Sequence, residues 1–131
     1  MAPNPAFDFD EFRASLDRDR PVFDPDSFLA RIDDDRELFI DLLLMVKRNL
    51  PDQFELARKA LERDDMEELR LLSHRIKGSA DNVSALRVRY VAHRIEREVL
   101  ESKREHLKKL FGLLDEKIAE FRRSVDEEPP G

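Results

Sequence analysis

The spacing of apolar residues constrains this chain most, because over long stretches it fits one face of an α-helix. From Arg36 onwards, apolar side chains recur every three or four residues for about seven turns, at Phe39, Leu42, Leu43, Val46, Leu50, Phe54, Ala57 and Leu61. The same rhythm returns near the C-terminus at Leu107, Leu110, Phe111, Leu114, Ile118 and Phe121. No segment has the alternating pattern of a strand. The sequence predicts an all-α fold.

Two further helices are predicted between these stripes. The pair Asp64-Asp65 is expected to end the first long helix, which contains Pro51, and to cap the next one. That helix has a stripe at Met66, Leu69, Leu72, Ile76, Ala80 and Val83, and Ser84 is the predicted N-cap of its successor, whose inner face is Ala85, Val88, Ala92, Ile95 and Val99. Because the connections are short, the four helices should form an antiparallel up-down four-helix bundle.

Shorter helices are expected ahead of the bundle. Residues 7–18 carry an apolar stripe of Phe9, Phe12 and Leu16. Asp24 followed by Pro25 is typical of a helix start, and this helix should extend to about Ile32. We expect one or two short N-terminal helices to cover one end of the core. The predicted organisation is an N-terminal arm at 1–23, the helical bundle at 24–123 and a disordered acidic tail at 124–131.

Composition excludes several classes of protein. The chain of 131 residues has the length of one domain, and it contains no apolar run of the roughly 20 residues that a membrane span needs. Its first residues lack the pattern of a secretion signal, so we expect a cytoplasmic protein with no membrane association. The absence of cysteine excludes disulfides, thiol nucleophiles and cysteine-bound metals. Three histidines are the side chains that ordinarily titrate near neutrality.

His74 does not fit the buried stripe of its helix. At 100° per residue it lies about 140° from Leu69, whereas the apolar residues of the stripe lie within about 60°. The outward face also carries Arg70, Lys77, Gly78 and Asp81. We therefore predict an exposed histidine with cations beside it. On this geometry alone, an ordinary surface histidine remains an alternative.

Gly78 strengthens the case for a site. A glycine within a helix costs about 1 kcal/mol relative to alanine, and this one follows His74 by four residues. It would leave a hollow beside the imidazole through which another molecule could approach. The alternative is a glycine that ends the helix as a C-terminal cap. Lys77 would offer a positive charge to an anion held on the imidazole, or would be an ordinary solvated lysine. Leu71 would add an exposed apolar contact.

The charges of the chain are unevenly distributed along it. Although the net charge is −6, the segment from Arg70 to Arg97 contains seven basic residues (Arg70, Arg75, Lys77, Arg87, Arg89, Arg94 and Arg97) and two acidic ones, Asp81 and Glu96. This pattern predicts that one side of the bundle attracts an acidic partner or a phosphate.

Residues 73–84 read Ser-His-Arg-Ile-Lys-Gly-Ser-Ala-Asp-Asn-Val-Ser. This segment resembles the histidine-containing phosphotransfer (HPt) domain, whose motif is His-x-Leu-Lys-Gly-Ser. The matching positions are His74, Lys77, Gly78 and Ser79, with Ile76 in place of leucine. The resemblance covers about 24–122 and includes the apolar-Glu pair Ile95-Glu96. One position departs from the pattern, because Ser84 stands where the family usually has glycine.

The resemblance implies a phosphocarrier of a multistep phosphorelay in two-component signalling, rather than a turnover enzyme. A receiver-domain aspartate would donate a phosphoryl group to His74, which would pass it to another receiver as an Nε2 phosphohistidine. Lys77 would stabilise the phosphoryl charge, and the partner would dock on Arg70, Leu71, Arg75, Gly78 and Ser79. We expect a monomer without a cofactor or metal of its own, Mg²⁺ supplied by the receiver, and a hybrid sensor kinase as a further partner.

Three other functions compete with this interpretation. A phosphorylation-silent bundle that acts as an interaction scaffold or inhibitor is the main alternative. A metal-binding bundle lacks the usual Glu-x-x-His spacing, since Leu71, Tyr90 and Lys103 precede the histidines by three residues. A nucleic-acid binder is disfavoured by the net charge of −6 and by the lack of an aromatic stacking set among the arginines.

Overall fold

A computed structural model describes residues 7–127 of the chain. In this range the chain forms six α-helices and no strand: α1 (Phe9–Asp19), α2 (Pro25–Arg31), α3 (Arg36–Glu62), α4 (Met66–Asn82), α5 (Leu86–Leu100) and α6 (Leu107–Glu127). The predicted all-α class is confirmed. Across this part of the chain, no helix combines the length and the apolar character needed to cross a membrane.

Helices α3 to α6 form the antiparallel four-helix bundle that the sequence predicts. Each helix packs against its neighbour in sequence, and α6 closes the bundle against α3. The apolar stripes meet in one core, whose fully buried members include Leu50, Leu69, Ile76, Ile95 and Leu114. Pro51 is accommodated within α3, which continues through it to Glu62. The bundle thus places α4 directly against α5.

Aspartate side chains begin four of the helices, the first being Asp8, which caps α1 with a hydrogen bond of 3.1 Å. Asp24, Asp35 and Asp65 accept hydrogen bonds from the backbone N–H groups three residues later, at 3.1, 3.0 and 3.1 Å. Each bond satisfies an amide that has no partner within its own helix, which stabilises a helix by about 1 kcal/mol. The predicted caps at Asp24 and Asp65 are therefore confirmed.

The predicted cap at Ser84 is wrong. The residue before α5 is Ala85, which makes no side-chain capping bond, while Ser84 has a φ of 58° in the left-handed region. The chain reverses here after α4, and a turn of this kind ordinarily favours glycine. The buried hydroxyl of Ser84 instead accepts a hydrogen bond of 2.7 Å from Arg31 Nη2, which ties α2 to the turn.

The two N-terminal helices pack on different parts of the bundle. Helix α2 covers the end formed by the α4–α5 turn, where the ring of Phe28 stacks on Phe39 at 4.9 Å. Helix α1 lies lengthwise along α5 and α6 and is held by Lys117, whose Nζ contacts Asp17 at 2.6 Å. Lys117 is only 2% exposed, so Asp17 neutralises a charge that is buried in the bundle.

The C-terminal helix is longer than the sequence predicts. Helix α6 continues to Glu127, and Val125 is buried, so the segment 124–127 belongs to the bundle and not to a disordered tail. The reason is that Val125 follows Phe121 by four residues and extends the same inward stripe. The rest of the predicted tail, 128–131, and the first six residues of the predicted arm lie outside the described residues.

The left-handed conformation of Ser84 leads to a stability prediction. Ser84→Gly and Ser84→Ala both remove the hydroxyl, but only glycine adopts the positive φ without a steric cost. We expect the glycine variant to be more stable than the alanine variant by about 1 kcal/mol. Urea denaturation of the two proteins measures this difference. An alanine variant at least as stable as the glycine variant would contradict the strain at this turn.

Candidate functional site

His74 lies on the outward face of α4, as predicted, with 62% of its side chain exposed. Gly78 is also exposed, one turn further along α4, and a Cβ atom added to it would meet nothing within 4 Å. Because α4 continues to Asn82, the alternative reading of Gly78 as a helix-ending cap is wrong. The imidazole therefore stands beside an open hollow on the protein surface.

A carboxylate on the neighbouring helix, α5, contacts Nδ1 of the imidazole. Glu96 projects from α5 and is buried, and its Oε1 lies 3.1 Å from Nδ1 of His74. The other carboxylate oxygen, Oε2, lies 2.7 Å from Nζ of Lys77. One acidic side chain on α5 thus bridges two basic side chains that α4 presents three residues apart.

The charge state of Glu96 follows from these contacts. Burial raises the pKa of its carboxyl group, but the contact with Lys77, and then that with His74, outweigh burial and leave this pKa below its ordinary value. Glu96 is therefore ionised at neutral pH and can only accept hydrogen bonds.

The ionised carboxylate determines which imidazole nitrogen is free. Since Glu96 only accepts, Nδ1 of His74 must carry the hydrogen of the 3.1 Å bond. In a neutral ring, Nε2 then has an unshared electron pair. The ring is thereby presented as a nucleophile at Nε2, with Nδ1 engaged on the protein side.

Lys77 forms an ion pair with Glu96, a contact that the sequence did not predict. Its side chain is only 21% exposed, and its ammonium group neutralises Glu96 instead of standing free in solvent. The alternative of an ordinary solvated lysine is therefore wrong. Its predicted contact with a phosphoryl group stays a prediction.

The predicted docking residues do not all share one face. Leu71 and Arg75 are exposed and Arg70 is partly exposed. Ser79 instead faces α3, where its hydroxyl accepts a hydrogen bond of 3.2 Å from Gln53 Nε2. This bond holds α3 against α4 next to Gly78. The predicted contacts of these residues with a partner stay predictions.

The predicted basic side of the bundle is largely neutralised by ion pairs. Lys77, Arg87, Arg89, Arg94 and Arg97 pair with Glu96, Glu120, Asp81, Glu98 and Glu101, respectively, at distances of 2.7 to 3.0 Å. The count along the sequence misses most of these acids because they come from α6 or lie beyond Arg97. Among residues 7–127, the cations of this segment without an ion pair are Arg70 and Arg75, which flank His74 in sequence.

The other two histidines have different surroundings. Burial, followed by the positive charge of Lys77, lowers the pKa of His93 on α5. His106 packs edge-on against Phe7, with the ring centroids 5.1 Å apart. No group of three or more histidine, aspartate and glutamate side chains in the described part of the chain is arranged to hold a metal ion.

Sequence reasoning missed Glu96 as a member of the site. It lies 22 residues after His74, and only the packing of α5 on α4 brings the two together. A signal was present in the Ile95-Glu96 pair, which fits the phosphotransfer family but indicates no role by itself. Glutamate on an amphipathic helix is ordinarily read as a solvated residue.

Comparisons with known proteins agree with this arrangement. The family model for the Hpt domain matches residues 41–124, more than half of the chain, and the chain therefore belongs to the Hpt domain family. Membership supports a phosphotransfer role in a phosphorelay. The fold is similar to the crystal structure of the HPT domain from a sensor hybrid histidine kinase of Shewanella, with 18% identity, a TM-score of 0.69, and coverage of 81% of this chain and 92% of that one. Among curated proteins, none matches the sequence.

The hydrogen bond to Glu96 predicts the tautomer of His74. In ¹⁵N NMR spectra at a pH that keeps the ring neutral, Nδ1 should have the shift of a protonated nitrogen. Glu96→Ala should move the population towards the Nε2–H form by about fivefold, the effect of a hydrogen bond of about 1 kcal/mol. Glu101→Ala, which removes another acid near the end of α5, is the control and should change nothing. Identical His74 spectra in all three proteins would contradict the assignment.

Proposed function

We propose that this protein carries a phosphoryl group on Nε2 of His74 in a multistep phosphorelay, accepting it from a receiver-domain aspartate and passing it to another receiver. One observation carries the proposal: Glu96 holds Nδ1 at 3.1 Å, while the opposite edge of the ring is exposed beside Gly78. A nucleophilic nitrogen is thus oriented towards a visiting molecule.

The transfer step needs no proton acceptor. The electron pair of Nε2 forms a bond to phosphorus as the bond between phosphorus and the aspartate oxygen breaks, and the aspartate carboxylate leaves with that electron pair. The imidazole gains a positive charge in this step. Glu96 already accepts a hydrogen bond from Nδ1, so it stabilises the charged ring without moving. Transfer to the next receiver is the same step in reverse.

The surroundings of His74 support approach by another protein. The open hollow at Gly78 lets a partner backbone come close enough for an in-line attack, and Leu71 offers an exposed apolar contact on the same face of α4. We assign the Mg²⁺ and the acidic pocket to the receiver, with no cofactor from this chain. A hybrid sensor kinase is a further proposed partner, and the exchange requires only one copy of this protein.

Lys77 fits this proposal through its ion pair. Without a cation at 2.7 Å, the carboxylate of Glu96 would repel an incoming phosphoryl group across the width of one imidazole ring. Lys77 cancels that charge in the resting protein. Its contribution to phosphoryl transfer is therefore electrostatic and acts through Glu96.

The phosphoacceptor role is tested by labelling. Incubation with a phosphorylated receiver should transfer label to this protein in an acid-labile, base-stable form, and His74→Gln should abolish it. His93→Gln is the matched control and should still be labelled. Label that persists in His74→Gln would reject the assignment. Receiver binding without any labelling of the wild-type protein would instead favour the scaffold alternative.

The docking role of Gly78 is tested against a second glycine. Gly112 also lies inside a helix, exposed, with nothing within 4 Å of an added Cβ atom. Gly78→Glu should leave helicity intact and lower receiver-dependent labelling by at least tenfold, because it fills the hollow and adds a negative charge facing an acidic pocket. Gly112→Glu should label at the wild-type rate. Equal labelling rates in the two variants would refute docking at Gly78. Circular dichroism of both variants checks that they are folded.

A further inference from the structure

A phosphoryl group on His74 creates a charge that the resting site does not neutralise. Such a group adds a charge of about −1.5 to −2 near pH 7. Lys77 lies 2.7 Å from Glu96 Oε2, and these two charges cancel each other. The phosphoryl group therefore needs another cation.

Few cations near His74 are available for this purpose. The arginines of α5 that lie closest in sequence to Glu96 are engaged, since Arg94 pairs with Glu98 at 3.0 Å and Arg97 with Glu101 at 2.9 Å. Within the described residues, no acidic group lies within ion-pair distance of Arg70 or Arg75. These two α4 residues are consequently the candidates, and their positions on the helix separate them.

Helix geometry favours Arg70 over Arg75. Arg70 precedes His74 by four residues, which places it one turn away and about 40° around the helix axis, whereas Arg75 lies about 100° away on the side of α3. Helical side chains lean towards the N-terminus, so the imidazole stands above the turn that carries Arg70. An arginine side chain is long enough to reach a group attached to this ring.

We propose that Arg70 is a phosphoryl-binding residue, whose guanidinium group contacts the oxygens of the phosphoryl group on Nε2 of His74 and stabilises its charge during transfer. The planar donor fork of arginine matches the oxygens of a phosphoryl group. The inference rests on the proposed function and deepens it: Lys77 compensates Glu96, while Arg70 compensates the phosphoryl group itself.

A small phosphodonor separates this role from partner docking. With phosphoramidate, the N–P bond to His74 forms as the N–P bond of the donor breaks, and its nitrogen, already protonated in the zwitterion, leaves as ammonia. No receiver is involved, so a docking residue has no influence on the rate. The comparison uses the wild-type protein, Arg70→Ala, and Arg75→Ala as the matched control, with thermal unfolding to verify the fold of each.

We expect Arg70→Ala to be labelled about three- to tenfold more slowly than the wild type, the range for one charge-assisted contact at a partly exposed site. Arg75→Ala should remain within about twofold, and Arg70→Lys should recover part of the rate. The phosphohistidine ³¹P shift should titrate at a higher pH in Arg70→Ala than in the wild type, because the guanidinium favours the dianion. A merely structural arginine would not produce this shift.

The inference and the proposed function fail in distinguishable ways. Equal labelling and equal ³¹P titration of Arg70→Ala and the wild type would overturn the role of Arg70. Equal losses of labelling rate in Arg70→Ala and Arg75→Ala would overturn it as well, because they would indicate a general effect of positive surface charge. A wild-type protein that phosphoramidate labels on His74 but no phosphorylated receiver labels would instead refute the phosphorelay function.

Discussion

The carboxylate of Glu96 is the group on which the site depends. A buried charge is costly unless it is paired and hydrogen-bonded, and both partners of this one come from the facing helix, α4. Lys77 neutralises it and His74 donates to it, so the same contacts join α4 to α5 and orient the imidazole. The packing of the two helices and the orientation of the imidazole therefore depend on one set of contacts. Any change that separated these two helices would also release the ring.

Most of the fold follows from the spacing of apolar residues. The four long helices and the caps at Asp24 and Asp65 were predictable because both depend on neighbours within one or two turns. The cap at Ser84 was not, since its hydroxyl is engaged by Arg31, 53 residues away in sequence. The full length of helix α6 was not predictable for a similar reason, because Val125 is buried only when the whole bundle is assembled.

The sequence predicts the site residues on the outward face of α4 but not the residue that α5 contributes. The angles around one helix axis place His74 and Gly78 outward from sequence alone. They carry no information about α5, and so the sequence indicates Glu96 only as a charge and as half of the Ile95-Glu96 pair, without a role in the site. The predicted excess of positive charge is reduced to Arg70 and Arg75 for the same reason, because the partners of the other cations, such as Glu120 for Arg87, mostly come from elsewhere in the bundle.

The position of α1 determines where this domain can be fused to other proteins without damage to its core. The family match begins at residue 41, yet Asp17 in α1 is the nearest counter-ion of Lys117, and Leu16 is buried in the same core. A fusion that joined a foreign segment at residue 41 would remove α1. The ammonium group of Lys117 would then lose Asp17, and apolar surface along α5 and α6 would be exposed. The smallest segment that can be moved into another protein with its core intact is thus larger than residues 41–124, which the family model matches.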